Sequence, residues 1–244
     1  MRTLVIGDIH GRIESLKGVL NIAGYDPTQD RLICLGDYVD NGRQSYEVMD
    51  FLIELDANSL HNNVYHMGNH DEAWIEILKN QFDQLRDAKL FEENNEEWWD
   101  DGGKYTYESY TKHSDAKIQR HLTQFYNKLK YYHKEDDKLF VHASIEFYEP
   151  IEETAKHSQW TLLWDRHLYM TAISQHSDTE KPIFGGYDKI YIGHTPTTYY
   201  DPLAPRYTCN VINLDQGCKI DGTLTAWVDG VDEYYQYVVG DIKM

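Results

Sequence analysis

The sequence predicts an α/β fold, and three observations carry that expectation. Short apolar runs recur along the chain, and each stops at a step bearing Asp, Asn or His. Helical periodicity follows the first two of these runs. After a long polar stretch, the strand pattern resumes at Lys138.

Taken in order, TLVIGDIHG (3–11) gives a strand that ends in Asp8 and His10. Residues 12–23 then place Ile13, Leu16, Val19, Leu20 and Ala23 on one helical face and stop before Gly24. RLICLGDYVD (31–40) gives a second strand, ending in Asp37 and Asp40, and a helix with Val48, Phe51, Leu52 and Leu55 follows over 45–55. NVYHMGNHD (63–71) supplies a third strand end, with Asn69, His70 and Asp71; Asp71 reads as the N-cap of a helix beginning at Glu72. Residues 72–137 are polar and mainly helical in pattern, an excursion from the core that could flank a site. KLFVHAS (138–144) and KIYIGHTP (189–196) return to strands ending in His142 and His194. The C-terminal part reads as strands about a glycine turn, closed by YYQYVVGDI (234–242). Unbroken apolar runs of this length suit strands buried on both faces. No repeat or flexible linker interrupts the 244 residues, which read as a single domain, 1–244.

Composition narrows the function. The formal net charge of -18 disfavours nucleic acid and anionic membranes as partners, and an anionic substrate would need a locally positive site. The start Thr3-Leu4-Val5-Ile6 lacks a charged region, apolar segment and cleavage site. No run approaches the roughly 18 apolar residues of a membrane span, so the chain reads as cytoplasmic. The three cysteines have no metal-type spacing, and Cys34 lies inside an apolar strand pattern. Twenty tyrosines suggest that several line a surface or cleft. The oligomeric state stays open.

Any one Asp-Gly or His at a strand end is more often a turn or a packing residue. In open α/β sheets, however, ligands bind at the carboxyl ends of strands. Five such ends converging would gather carboxylates, an amide and imidazoles, more donors than one open catalytic ion needs. The mixture suits manganese, iron or zinc, and two such ions sharing a carboxylate can clamp a phosphoryl transfer.

At this point the chain resembles the calcineurin-like metallophosphoesterases, in particular the phosphoprotein phosphatase branch with bacterial and phage Ser/Thr phosphatases and symmetrical diadenosine tetraphosphatases. The family pattern GDxHG, GDxxDRG, GNH(D/E), VH and GHT is matched by GDIHG (7–11), GDYVDNG (36–42), GNHD (68–71), VHAS (141–144) and GHTP (193–196). Weaker echoes are DDGGKYTYESY (100–110), LLWDR (162–166) and NLDQGCKIDGTLTAWV (213–228), so the resemblance spans nearly the whole chain.

The resemblance implies a four-layer α/β/β/α sandwich and two divalent ions, manganese first, with iron or zinc as alternatives. It implies that Asp8, His10, Asp37, Asn69, His142 and His194 ligate metal, with Asp37 bridging, and that a metal-bridged hydroxide attacks in line. His70, oriented by Asp40, would protonate the leaving group, and Arg166 with Asn69 would grip phosphate. Where the family carries a phosphate-facing arginine this chain has Asn41, and Arg43, two residues on, is the candidate replacement. Phosphoserine or phosphothreonine in a protein or peptide is the first substrate. A symmetrical dinucleoside tetraphosphate is the runner-up, because the acid at Asp40 is not part of that group's usual motif. A small phosphometabolite or phosphotyrosine remains a further alternative, and a non-catalytic binding scaffold a remote one. His61, His66, His113, His121, His133, His157, His167 and His176 fall outside the motifs and read as surface or packing residues. The Trp98-Trp99 pair reads as cover for the core.

Overall fold

In the computed structural model, which describes residues 1–175, 183–200 and 204–239, two five-stranded sheets stack face to face. The first holds β1 (Arg2–Ile6), β2 (Asp30–Cys34) and β3 (Val64–Tyr65) in parallel. The second holds β4 (Tyr132–Glu135), β5 (Lys138–Val141), β6 (Lys189–Ile192), β7 (Arg206–Thr208) and β8 (Val211–Asn213), of which β5, β6 and β8 run parallel and β4 and β7 are antiparallel edges. Two antiparallel strands, β9 (Leu224–Val228) and β10 (Glu233–Tyr237), complete the first sheet beside β1.

Alternation along the strands builds the layers. Val5, Ile33 and Leu35 from the first sheet meet Phe140, Tyr191, Ile212 and Leu214 from the second in a buried seam. Leu4, Ile6, Leu32 and Cys34 point the other way, onto α1 (Ile13–Ile22) and α2 (Ser45–Asn58). Leu139, Val141, Ile190 and Ile192 likewise meet a helical layer, described below, through Leu162, Leu168 and Ala172. Both sheets are thus apolar on both faces, as the continuous apolar runs require. The expected four-layer sandwich is present.

The excursion differs from its expected form at both ends. Helix α3 (Asn69–Asn80) opens at Asn69, so Asp71 is its third residue and Gly68 its N-cap. The helical character, through α4 (Ala88–Asn94), α5 (Glu96–Trp98), α6 (Lys104–Tyr110) and α7 (Asp115–Gln124), gives way to β4 before residue 137. The outer layer on the second sheet is α8 (Ile151–His157), α9 (Gln159–Trp164) and α10 (His167–Ser174). The expected C-terminal strands appear, separated by a short helix α11 (Cys218–Asp221), and residues 240–242 of the closing strand lie outside the described residues.

Tyrosine serves both surface and core: Tyr148, Tyr199, Tyr200, Tyr207 and Tyr234 are exposed, as expected of several. Tyr38, Tyr46, Tyr65, Tyr107, Tyr110, Tyr126, Tyr169 and Tyr191 are buried, and most of them fuse the excursion to α2 and β3 through edge and stacked contacts. Trp98 stacks on the buried Trp74 at 5.3 Å, and Trp99 packs on Tyr107 at 5.2 Å, covering the core as expected.

The two sheets come into close backbone contact where the site begins. A Cβ on Gly7 would lie 2.1 Å from the backbone oxygen of Leu214, so the chain ends of β1 and β8 touch and bring Asp8 beside Asp215. Gly7→Ala is expected to push the sheets apart there and to cost about 1–3 kcal/mol, as overpacking does. Urea unfolding followed by tryptophan fluorescence would measure it; an unchanged midpoint would show that the seam yields freely.

Candidate active site

Every strand end singled out by the sequence arrives at one place. The backbone there is bent sharply: His10, Asp37, Asp40, Asn41 and His194 all have positive φ, between 48° and 67°. That region is sparsely populated for residues with a side chain, and such residues collect at functional sites. Two groups of buried donors share one carboxylate. His10, Asp37 and His70 form one and Asp37, His142 and His194 the other, with ligand atoms within 4.8 Å of one another in each. Asn69 joins the second, its Oδ1 3.1 Å from His142 Nε2 and 3.0 Å from His194 Nδ1. Asp8 stands one step aside, accepting the His194 N–H at 3.0 Å.

Three imidazoles are fixed in a single tautomer by backbone. A carbonyl oxygen can only accept, so His10 Nδ1 donates to Val39 O at 3.0 Å, His142 Nδ1 to Leu35 O at 2.9 Å, and His194 Nε2 to Trp164 O at 3.0 Å. The other nitrogen of each ring is therefore a lone pair, and it faces the cluster, as metal-ligating histidines are held. Burial keeps these rings neutral: it lowers His10 to about 3, lowers His142, and, with His142 and Arg166 nearby, holds His194 well below the ordinary value.

His70 is the contrasting ring. Its Nδ1 lies 2.8 Å from Asp40 Oδ2. Burial works against its charge, but Asp37, the hydrogen bond and charge of Asp40, and Asp101 outweigh burial and raise it to about 9. Asp40 is fully buried, which raises its own carboxyl, yet His70 and Thr106 pull against that shift. It accepts from Trp98 Nε1 at 3.0 Å and Thr106 Oγ1 at 2.7 Å as well as from His70. Three donors on one carboxylate place the proton on His70.

The donor set fits divalent cations. Asp37 is shared by both groups, and its carboxyl, pushed up by burial, is held low by His142, His70, His10 and His194. Burial raises Asp8 strongly, with Asp215 and Asp37 adding to the rise. Burial also lifts Asp215, to about 6, and its Oδ2 has no hydrogen-bond partner among the described residues. Crowded buried carboxylates facing imidazole lone pairs form a site that a cation satisfies.

The remaining candidates separate. Arg166 Nη1 donates to His194 O at 3.0 Å and Thr195 Oγ1 at 2.7 Å, at the rim of the cluster. Arg43 is exposed, stacks on Tyr105 with 5.2 Å to the ring centroid, and has no hydrogen bond to the cluster. Asn41 turns toward the excursion, its N–H donating to Gly102 O at 3.2 Å. Outside the cluster, His66 is buried on Cys34 O, His121 on Tyr110, His113 stacks on Tyr46 and His157 meets Glu149, while His176 lies outside the described residues. Sequence reasoning missed the roles of Trp98, Thr106, Asp101 and Asp215. Only Asp215 carried a signal, standing after the apolar run VINL as the other acids do.

The profile of the calcineurin-like phosphoesterase family matches residues 1–207. A symmetrical bis(5'-nucleosyl)-tetraphosphatase of Pseudomonas fluorescens (strain Pf0-1) is 40% identical over 80 residues, 33% of this chain and 26% of that protein. The chain therefore matches only about a quarter of that relative's length. An asymmetrical bis(5'-nucleosyl)-tetraphosphatase, PrpE of Oceanobacillus iheyensis, is 26% identical over 93% of this chain and 88% of its own. A protein serine/threonine phosphatase structure from Saccharomyces cerevisiae shares the fold with a TM-score of 0.57 at 14% identity, covering 94% of this chain and 73% of that one.

Asp37→Ala removes the carboxylate common to both donor groups and is expected to abolish binding of both ions; His10→Ala is expected to retain one. Manganese bound per chain after equilibrium dialysis reads the difference, and two ions retained by Asp37→Ala would show that Asp37 bridges nothing.

Proposed function

This chain belongs to the calcineurin-like phosphoesterase family, and we propose that it hydrolyses phosphate monoesters, phosphoserine and phosphothreonine first. The observation that carries this reading is the buried Asp40–His70 pair, 2.8 Å apart with the proton on His70. An alkoxide is a poor leaving group, and a positioned acid speeds its departure by about 10²–10⁴. A nucleotide phosphate leaves without such help.

Two divalent ions bound by Asp8, His10, Asp37, Asn69, His142 and His194 would supply Lewis acidity and an acidified water. Asp37 would orient both halves of that centre. Arg166, anchored by His194 O and Thr195 Oγ1, would neutralise the transferred phosphoryl oxygens. His70 would give its Nε2 proton to the leaving oxygen while Asp40, held by Trp98 and Thr106, stabilises the ring's orientation.

The names of the relatives favour a second reading, hydrolysis of dinucleoside tetraphosphates. The two readings part in one comparison: phosphate release from phosphoserine and phosphothreonine peptides against cleavage of diadenosine tetraphosphate, with manganese and after chelation. The monoester reading expects manganese-dependent peptide turnover that falls about 10²-fold or more in Asp40→Asn. Turnover of the dinucleotide alone, indifferent to Asp40→Asn, sinks it.

Trp98→Phe removes one donor to Asp40 while keeping a ring against Trp74. It is expected to slow phosphoserine hydrolysis about tenfold and to leave p-nitrophenyl phosphate, whose leaving group needs no proton, nearly unchanged. Equal losses on both substrates would mean that Trp98 only supports the fold.

A further inference from the structure

A cavity of about 270 Å³ opens over His70, and apart from that ring its charged lining is acidic: Glu97 and Asp101 stand beside Asn69, Trp98 and Trp164, and no Lys or Arg contributes. His70 is 6% exposed, and its Nε2 has no hydrogen-bond partner among the described residues. The nearest carboxylate oxygen to it, on Asp101, is 3.9 Å away, too far for a hydrogen bond. A ring nitrogen without a partner at the wall of a cavity marks where the group it serves must sit. If His70 protonates the leaving oxygen, this cavity receives the leaving group.

We propose that Glu97 and Asp101 select the leaving group by charge, admitting phosphoesters flanked by a cation and disfavouring esters that continue as a polyphosphate. This rests on the monoester reading above and specifies its substrate class. The charges are divided: the Arg166 guanidinium is held by His194 O and Thr195 Oγ1 and does not line this cavity. Cleaving a dinucleoside tetraphosphate at the same centre would drive a nucleotide's phosphates past two carboxylates. A phosphoserine next to Arg or Lys places a guanidinium or ammonium there instead, and the exposed indole of Trp164 at the cavity wall suits cation–π contact.

The backbone that carries the acids is held in place. Trp98 is tied to Asp40 at 3.0 Å and stacked on Trp74, and the next turn is pinned by the Asn41 N–H on Gly102 O. Gly102 has φ of 95°, and a Cβ there would come within 2.6 Å of Asn41 Oδ1, so the turn carrying Asp101 fits against the Asp40 loop only with glycine. The backbone that presents Asp101 is thereby registered to the same carboxylate that orients His70.

The test uses the full chain loaded with manganese and two phosphoserine peptides that differ only in Arg or Glu on either side of the phosphoserine. Wild type and the double variant Glu97→Gln/Asp101→Asn are compared by the ratio of kcat/KM for the two peptides, at low and high salt. A general loss of activity cancels in that ratio. Wild type is expected to favour the Arg peptide about tenfold at low salt and less at high salt, the variant to fall to a ratio near one, and its cleavage of diadenosine tetraphosphate to rise severalfold. A ratio near one in wild type, or one unchanged in the variant, overturns the proposal while leaving the monoester reading intact. If neither peptide is hydrolysed the monoester reading fails by itself, and the dinucleotide decides for the acids: a rise in the variant supports their selecting by charge, and no rise overturns it.

Discussion

The carboxylate of Asp71 holds the active region together from beneath. It is fully buried and accepts three backbone N–H groups: from Asp37 at 2.7 Å, Tyr38 at 2.9 Å and Gly68 at 2.9 Å. One side chain thus ties the loop after β2 to the start of α3, the two segments that supply Asp37, Asp40, Asn69 and His70. Asp37 returns the link by accepting the His70 N–H at 3.1 Å, and its own carbonyl receives the N–H groups of Ile9 and His10 from the loop after β1. Three loops from neighbouring strands are knotted through their main-chain N–H groups, by two carboxylates and one carbonyl. Lost buried acceptors are costly, so this knot constrains which backbone shapes the loops can take.

Much of this was legible beforehand. Val5 between Leu4 and Ile6, and Tyr191 between Ile190 and Ile192, are strands with both faces apolar, and a run of that kind leaves little freedom of interpretation. The acids and imidazoles at the ends of such runs had to gather once the sheets formed. Other features were written in no local pattern. β4 and β7 are short polar edges whose pairing depends on a neighbour, and Tyr132–Glu135 looked like helix because its strand partner lies beyond it. Asp71 looked like a helix cap because the sequence shows its distance from Glu72 and hides its distance from Tyr38. Trp98 and Thr106 reach Asp40 across 58 and 66 residues. Arg43, two residues from Asn41, was plausible by spacing, but its stacking on Tyr105 was not visible in the sequence.

The excursion reads differently once its contacts are known. Residues that periodicity marks only as polar helix deliver a donor to Asp40, an aromatic wall, and two acids lining a cavity with His70. On the function proposed above, the framework common to the family would position ions and the attacked phosphorus, and the segment that departs from the sandwich would border the leaving group. Chemistry and selectivity would in this way be carried by different parts of the chain, joined at one carboxylate.

The left-handed backbone at His10, Asp37, Asp40, Asn41 and His194 bears on how such a site can drift over generations. Asn, Asp and His are the residues with side chains that most readily adopt this conformation, and they are also donors that bind hard and borderline cations. Mutation away from them would meet two independent barriers, one steric and one chemical. Glycine alone passes the first. A lineage that loses activity at these positions without losing its architecture should therefore accumulate glycine there, and a descendant with glycines at the strand ends would be a fossil of this centre.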